Sequence, residues 1–211
     1  MPEADPLSML AFNPADHAPQ DIYKLMVGSI VPRPIAFVST MDTKGILNLA
    51  PFSFFTAASA NPPVVCFCPM VRRVGMEKKD TLRNVEETGE FVVNIVSEEF
   101  ADKMNICAAE VAPQVSEFDL SGLTPLASEL VRPPRVAESH VQMECRLLQI
   151  VRVSEKPLGG ALVLGEVLRF HVRESLVDDF RIDPEKLNAL GRMAGATYVR
   201  TTDRFDMERP R

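Results

Sequence analysis

A mainly β chain, with long antiparallel strands buried largely on one face as in a barrel or a strongly coiled sheet, is predicted by three features of the sequence. The first is a pair of long alternating segments. Val141, Met143, Cys145, Leu147, Val151 and Val153 share one face of residues 141–153, with Gln149 the exception. Leu162, Leu164, Leu168, Phe170 and Val172 share one face of residues 161–173, with Glu166 the exception. Apolar residues at every second position suit strands buried on one face, and Lys156-Pro-Leu-Gly-Gly supplies the turn between them. The second feature is a hairpin. Ile35–Thr40 is apolar and β-branched, Met41–Gly45 carries Asp42 and a glycine suited to positive φ, and a second strand begins at Ile46. The third is a pair of β-branched runs, Val64–Phe67 and Phe91–Val96, that read as central strands.

The remaining elements follow in order. Residues 1–20 carry prolines and no periodicity, as expected of an extension, and they lack the basic-then-apolar pattern of a secretory signal. Ile22–Val27 suits a turn of helix or the entry to the first strand. Pro51, without a backbone donor, is expected to interrupt the strand that begins at Ile46. Asp80 suits an N-cap, with Leu82 and Val85 on one helical face and Gly89 as the stop. Ser97 suits the cap of a helix running to about Ala109, with Glu98 and Glu99 at its positive end. Residues 112–135, rich in proline, read as a long excursion of the kind that carries function or an interface. Asp183 caps a short helix that starts on Pro184 and is stopped by Gly191. The domain reading is an extension at 1–20, one domain at 21–175, and a helix and tail at 176–211 that complete the site or an interface.

Composition removes several function classes. The net charge is −6 over 211 residues and no basic block occurs, so the electrostatic footprint of a nucleic-acid or anionic-membrane partner is missing. Residues 46–71 contain no charged side chain, yet Pro51, Pro62, Pro63 and Pro69 break them, which argues against a membrane helix. The cysteines Cys66, Cys68, Cys107 and Cys145 form no Cys-x-x-Cys pair and the three histidines are scattered, so no metal site is expected. Four thiols with no local pairing suit a reducing, cytoplasmic setting. A nucleophile elbow, a Walker loop and a dinucleotide fingerprint are all missing. What remains is a group of neutral hydrogen-bonding residues at strand ends, with Arg33, Arg72, Arg73, Lys79 and Arg192 as cations. That combination suits a heteroaromatic ring bearing a phosphate, the phosphate held by cations and the ring edge by amides and hydroxyls.

One ordered series of motifs carries a family resemblance. Arg33-Pro-Ile-Ala-Phe-Val-Ser-Thr, Asp42, Gly45 and Asn48-Leu-Ala-Pro-Phe-Ser-Phe-Phe come first. Asn61-Pro-Pro, Lys79-Asp-Thr-Leu-Arg-Asn, Gly89-Glu-Phe-Val-Val-Asn, Glu144-Cys-Arg-Leu, Leu164-Gly-Glu-Val and Leu190-Gly-Arg-Met-Ala-Gly-Ala-Thr-Tyr follow. Over residues 20–200 this resembles the flavin reductase-like family with an FMN-binding split barrel. The resemblance implies a six-stranded antiparallel split barrel with helices outside, a homodimer, and FMN near the subunit interface. It implies a flavin site lined by Arg33, Ser39, Thr40, Asn48, Ala50, Ser53 and Phe54. It places Lys79, Asp80 and Thr81 near the phosphate or ribityl end, with Arg192 a further candidate.

The activity implied is an FMN oxidoreductase that takes hydride from NAD(P)H and reduces flavin or another small acceptor; no catalytic side chain is assigned, since geometry and the cofactor carry hydride transfer. Gly159-Gly160-Ala161 stands where short flavin reductases have Gly-Asp-His, a segment associated with the nicotinamide. The chain thus looks closer to the longer branch, with flavoredoxin-like and ferric-reductase-like proteins. The alternatives are a non-catalytic FMN electron carrier reduced by a protein partner and a split barrel without flavin.

Overall fold

The computed structural model describes residues 7–71 and 78–210, so Arg72 and Arg73 lie outside the described residues. Residues 8–18 are exposed, with one 3-10 turn at Pro14–Asp16, and helix α1 (Pro19–Ser29) follows. Strands β1 (Ala36–Met41) and β2 (Leu47–Phe52) form the expected hairpin. Asp42 Oδ1 accepts from the Lys44 and Ile46 amides, and Gly45 takes φ +90°, a value that strains any residue with a Cβ. A second hairpin joins β3 (Phe55–Ala60) to β4 (Pro63–Phe67). Helix α2 (Asp80–Thr88) ends on Gly89 at φ +70° and leads into β5 (Glu90–Ile95).

Helices α3 (Ala101–Ile106) and α4 (Glu117–Ser121) come next, then the short pair β6 (Pro125–Leu126) and β7 (Arg135–Val136). The long strands β8 (Val141–Arg152) and β9 (Ala161–Val172) pair antiparallel, as their alternation predicts. The C-terminal part holds β10 (Val177–Asp178), β11 (Arg181–Ile182), α5 (Pro184–Leu187), β12 (Leu190–Arg192) and β13 (Tyr198–Arg200).

Seven strands make one antiparallel sheet in the order β2-β1-β5-β8-β9-β4-β3, where six were expected. The extra strand arises because residues 47–60 break in two. The break falls at Ser53 and Phe54 rather than at Pro51, which pairs in register with Phe37. Pro51 is tolerated because β2 is an edge strand and needs no donor on its outer side. β2 and β3 are the two edges of the sheet, and the Ser53–Phe54 corner carries the chain directly from one edge to the other.

Other local readings shift by a residue or an element. Lys79, not Asp80, holds the N-cap position of α2. Ser97 makes no side-chain cap; a 3-10 turn at Glu98–Phe100 precedes the shorter α3, and the Ser97 hydroxyl is buried without a partner among the described residues. Asp183 caps α5 as expected, accepting from the Glu185 and Lys186 amides, but the helix ends at Leu187 on left-handed Asn188. Gly191 lies in β12, where an added Cβ would meet Val199 Cγ1 at 2.9 Å.

β1 is buried on both faces, which accounts for two cores. Ala36 and Val38 point into one with Phe52, Phe67, Phe91, Val93 and Val163, closed by Leu82 and Val85 of α2. Phe37 points into the other with Leu49, Phe100, Met104, Phe118 and Val136, under α3 and α4. Phe52, Phe67 and Phe91 contact in series at ring distances of 5.1 and 5.3 Å, favourable for tilted and edge-on rings. Gly165 is the surface on which Phe91 rests: a Cβ there would lie 2.2 Å from Phe91 Cζ.

Candidate functional site

The start of α2 and the β1–β2 hairpin are tied by a buried polar cluster. The register opposes Thr40 to Asn48 across the hairpin. Asn48 Nδ2 donates to Thr81 Oγ1 at 2.9 Å and to Thr40 Oγ1 at 3.2 Å, and Asn84 Nδ2 donates to Thr40 Oγ1 at 3.1 Å. Buried hydrogen-bonded groups of this kind fix geometry because leaving any one unpaired is costly. The first turn of α2 is thereby held against β2.

Beside this cluster lies a cleft of about 120 Å³. Asn48, Ala50 and Pro51 line one wall, Lys79, Asp80 and Thr81 another, and residues 107–111 with Glu117 the third. A second groove of about 300 Å³ shares Asn48 and Asp80 with it and runs past Lys44 and Asn84. The Lys79 side chain makes no cap bond to the start of α2 among the described residues, and its backbone there is extended. A helix start directs its first amides outward with positive polarity, which suits the first turn of α2 to an anion. Lys79 Nζ also lies 5.7 Å from the Phe52 ring centre. Asp80 is engaged by Arg83 one turn on, which offsets its charge at this end.

The remaining expected residues fall elsewhere. Arg33 is buried, and its guanidinium donates to the carbonyls of Val27, Ile30 and Met193 and to Ser53 Oγ at 2.8–3.2 Å. It acts as a clip joining α1, the Ser53–Phe54 corner and the C-terminal hairpin, with most of its donors used inside the chain. Burial pulls its pKa down, and the nearby Arg192 charge acts in the same direction. Phe54 packs by Tyr23, ring centres 6.4 Å apart, with Arg33 5.9 Å from its ring. Ser39 is fully buried and donates to the Pro134 carbonyl, on the β1 face opposite Thr40 and away from the cleft. Arg192 lines a different groove, between α3 and the β12–β13 hairpin.

The structure adds three residues that sequence reasoning missed. Asn84 completes the polar cluster; its spacing from Thr81, one helical turn, was the available signal. Glu117 is buried and accepts the Leu49 amide at 2.9 Å, reaching the cleft from α4. Cys107 lines the cleft, and burial pushes its thiol up to about 11, so it is a neutral wall rather than a nucleophile. Elsewhere, fully buried Glu144 accepts from the Glu129, Leu130 and Val131 amides and pairs with His171 Nε2 at 2.6 Å, anchoring the 127–136 loop. Among the described residues no cluster of His, Cys, Asp and Glu could hold a metal ion, and no helix is long and apolar enough to cross a membrane.

Comparison with known proteins agrees with this architecture. The family model for the Flavin reductase like domain matches residues 27–186. The crystal structure of nitrilotriacetate monooxygenase component B from Bacillus cereus is 40% identical, with TM-score 0.89 over 95% of this chain and 99% of that one. The 2-nitrobenzoate 2-nitroreductase NbaA of Pseudomonas fluorescens is 30% identical, with TM-score 0.86 over 95% and 96% of the two chains. An uncharacterized protein of Aquifex aeolicus is 42% identical over 180 residues, 85% of this chain and 89% of its own.

Proposed function

The chain belongs to the flavin reductase-like domain family, and from that premise we propose that it is an FMN-binding oxidoreductase using NAD(P)H to reduce free flavin or another small acceptor. The observation that carries this reading is the start of α2 at the cleft, next to Lys79, held there by the Asn48–Thr81–Thr40–Asn84 cluster. These residues fit a phosphorylated flavin. Lys79 and the first amides of α2 hold the phosphate, Thr81 and Asn48 meet the ribityl hydroxyls, and Ala50 and Pro51 form an uncharged wall. Ser53 and Phe54 take the ring end, while Arg33, Thr40 and Asn84 position these groups from behind.

When bound, FMN supplies the hydride-accepting and electron-passing chemistry. The chain itself binds, orients and excludes water. The β2 wall of the cleft, Asn48, Ala50 and Pro51, is uncharged, and the Cys107 thiol stays protonated. The Gly159-Gly160-Ala161 segment is set by packing: a Cβ on Gly159 would lie 2.6 Å from the Ser154 carbonyl, and Ala161 is buried. Nicotinamide therefore has to approach through other residues than those of the short flavin reductases.

Thr56–Ala60 of edge strand β3 is exposed and uncharged. We infer that this face meets a second copy, giving a homodimer with the Ser53–Phe54 corner at its border. Four thiols without a disulfide support the reading of a reducing, cytoplasmic setting. NbaA, at 30% identity, favours one further acceptor class, small nitroaromatic compounds.

The experiment is direct. Purified protein is titrated with FMN, then mixed anaerobically with NADH and NADPH while flavin absorbance is followed. Saturable FMN binding and bleaching by either nucleotide are expected. A protein that ignores FMN refutes the flavin reading; binding without bleaching refutes the reductase and favours an electron carrier fed by a protein partner.

A further inference from the structure

We propose that the groove between α3 and the β12–β13 hairpin is a separate site for a planar organic carboxylate, held by Arg192. The groove encloses about 590 Å³, the size range of small-ligand pockets. Its side chains divide by chemistry. Met104 and Leu190 are buried and form an apolar floor with Ala101. Arg200 is engaged by Glu98 at 2.5 Å, so its charge is already matched. Arg192 has no carboxylate partner among the described residues. Its guanidinium carbon lies 4.3 Å from the centre of the Tyr198 ring, and one of its N–H groups donates to the Gly195 carbonyl. Asp102, the remaining acid of the lining, is exposed.

A half-buried arginine over an aromatic ring, with one N–H on a carbonyl, keeps further donors of its planar fork for a ligand. That geometry matches the two oxygens of a carboxylate in one plane, which a lysine would not. The fork is also pre-set. The Arg33 amide donates to the Arg192 carbonyl at 2.9 Å and the Arg192 amide donates to the Arg33 carbonyl at 2.8 Å, while Gly191 packs too closely for any Cβ. Preorganisation of this kind lowers the ordering cost of binding. A carboxylate at Arg192 lays its apolar body on Met104 and Leu190.

The same Arg33 whose main chain holds Arg192 donates through its side chain to Ser53 Oγ. The groove is therefore one residue removed from the corner assigned to the flavin ring. Its role as the seat of an electron acceptor or donor rests on the flavin reading; the carboxylate site itself does not.

Calorimetric titration with benzoate, neutral benzamide, inorganic phosphate and FMN separates the two. Wild-type protein is expected to bind benzoate 1:1, with benzamide and phosphate at least tenfold weaker. R192M should weaken benzoate at least tenfold and R192K by a smaller factor, because charge is kept and the fork is lost. A196F, which fills the groove mouth at an exposed loop position, should also remove benzoate binding and serves if R192M fails to fold. T81A should leave benzoate unchanged and weaken FMN. On adding benzoate, the Met104 methyl signal should shift. No saturable benzoate binding, equal binding of benzamide, displacement of benzoate by phosphate at equal concentration, or unchanged benzoate affinity in R192M overturns the proposal. Failure of wild type to bind FMN while the benzoate pattern holds overturns only the flavin reading.

Discussion

Asn48→Ala tests the heart of the proposed cofactor site in two independent ways. Asn48 Nδ2 donates to Thr81 Oγ1 at 2.9 Å and to Thr40 Oγ1 at 3.2 Å, where Asn48 is 8% and Thr81 1% exposed. Each such bond contributes about 0.5–1.5 kcal/mol net, so losing both costs roughly 1–3 kcal/mol. For a chain of this size that lowers Tm by about 2–12 °C. This first effect needs no ligand and is read by circular dichroism melting. The second is affinity. With Thr81 no longer held against β2, FMN binding, followed by flavin fluorescence quenching, should weaken about tenfold, equivalent to roughly 1.4 kcal/mol. Because the two side chains are bonded, Asn48→Ala and Thr81→Ala should not add, with coupling of about 0.5–1.5 kcal/mol in the double variant. Additive losses, or a Tm loss with unchanged FMN affinity in both single variants, would refute the assignment.

Gly165→Ala places a methyl 2.2 Å from Phe91 Cζ in a fully buried contact, so overpacking should cost about 1–3 kcal/mol in urea denaturation. Phe91→Leu in the same chain should recover part of that loss; no loss, or no recovery, contradicts the packing described. Burial pushes the Glu144 carboxyl up, but the Glu129 and Leu130 amides and His171 outweigh it and hold its pKa below the ordinary value. A depressed folded pKa gives stability that is full above the ordinary glutamate range and lost as pH falls through the folded value. Glu144→Gln should therefore flatten the acid limb of the stability profile, and an unchanged limb argues against the anchor. Arg33→Lys removes the fork that joins three segments, so amide hydrogen exchange in residues 190–200 should accelerate while β8 and β9 stay protected.

Legibility followed the range of the interactions. The strands β8 and β9 and the β1–β2 hairpin were readable because alternation and the Asp42–Gly45 turn are local signals. Gly89 likewise ended α2 where a left-handed C-cap was expected. The strand break was misplaced because Pro51 is hostile to a central strand only, and a sequence does not declare which strand is an edge. The cleft residues Asn48, Ala50, Lys79 and Thr81 came together as the motif series implied. Ser39 did not, because adjacent strand residues face opposite sides, and β1 buries both. Arg33 reads as a phosphate ligand by residue type, yet its partners, Val27, Ile30, Ser53 and Met193, are gathered by tertiary structure alone. Glu117 was hidden for the same reason: its contact with the Leu49 amide spans 68 residues of chain.

That contact, with Pro51 two residues on, guards one rim of the sheet. The outward-facing donors of edge strand β2 fall at alternate residues, Leu47, Leu49 and Pro51. Glu117 occupies the Leu49 amide and Pro51 has none, so this rim offers little for another backbone to grip. The opposite rim, β3, is exposed over Thr56–Ala60 and carries a register shift between Ala57 and Ser59. The β2 margin of the sheet is thus largely closed to strand addition, a protection that an edge strand needs against aggregation. Glu117→Ala is the change that would begin to unseal it.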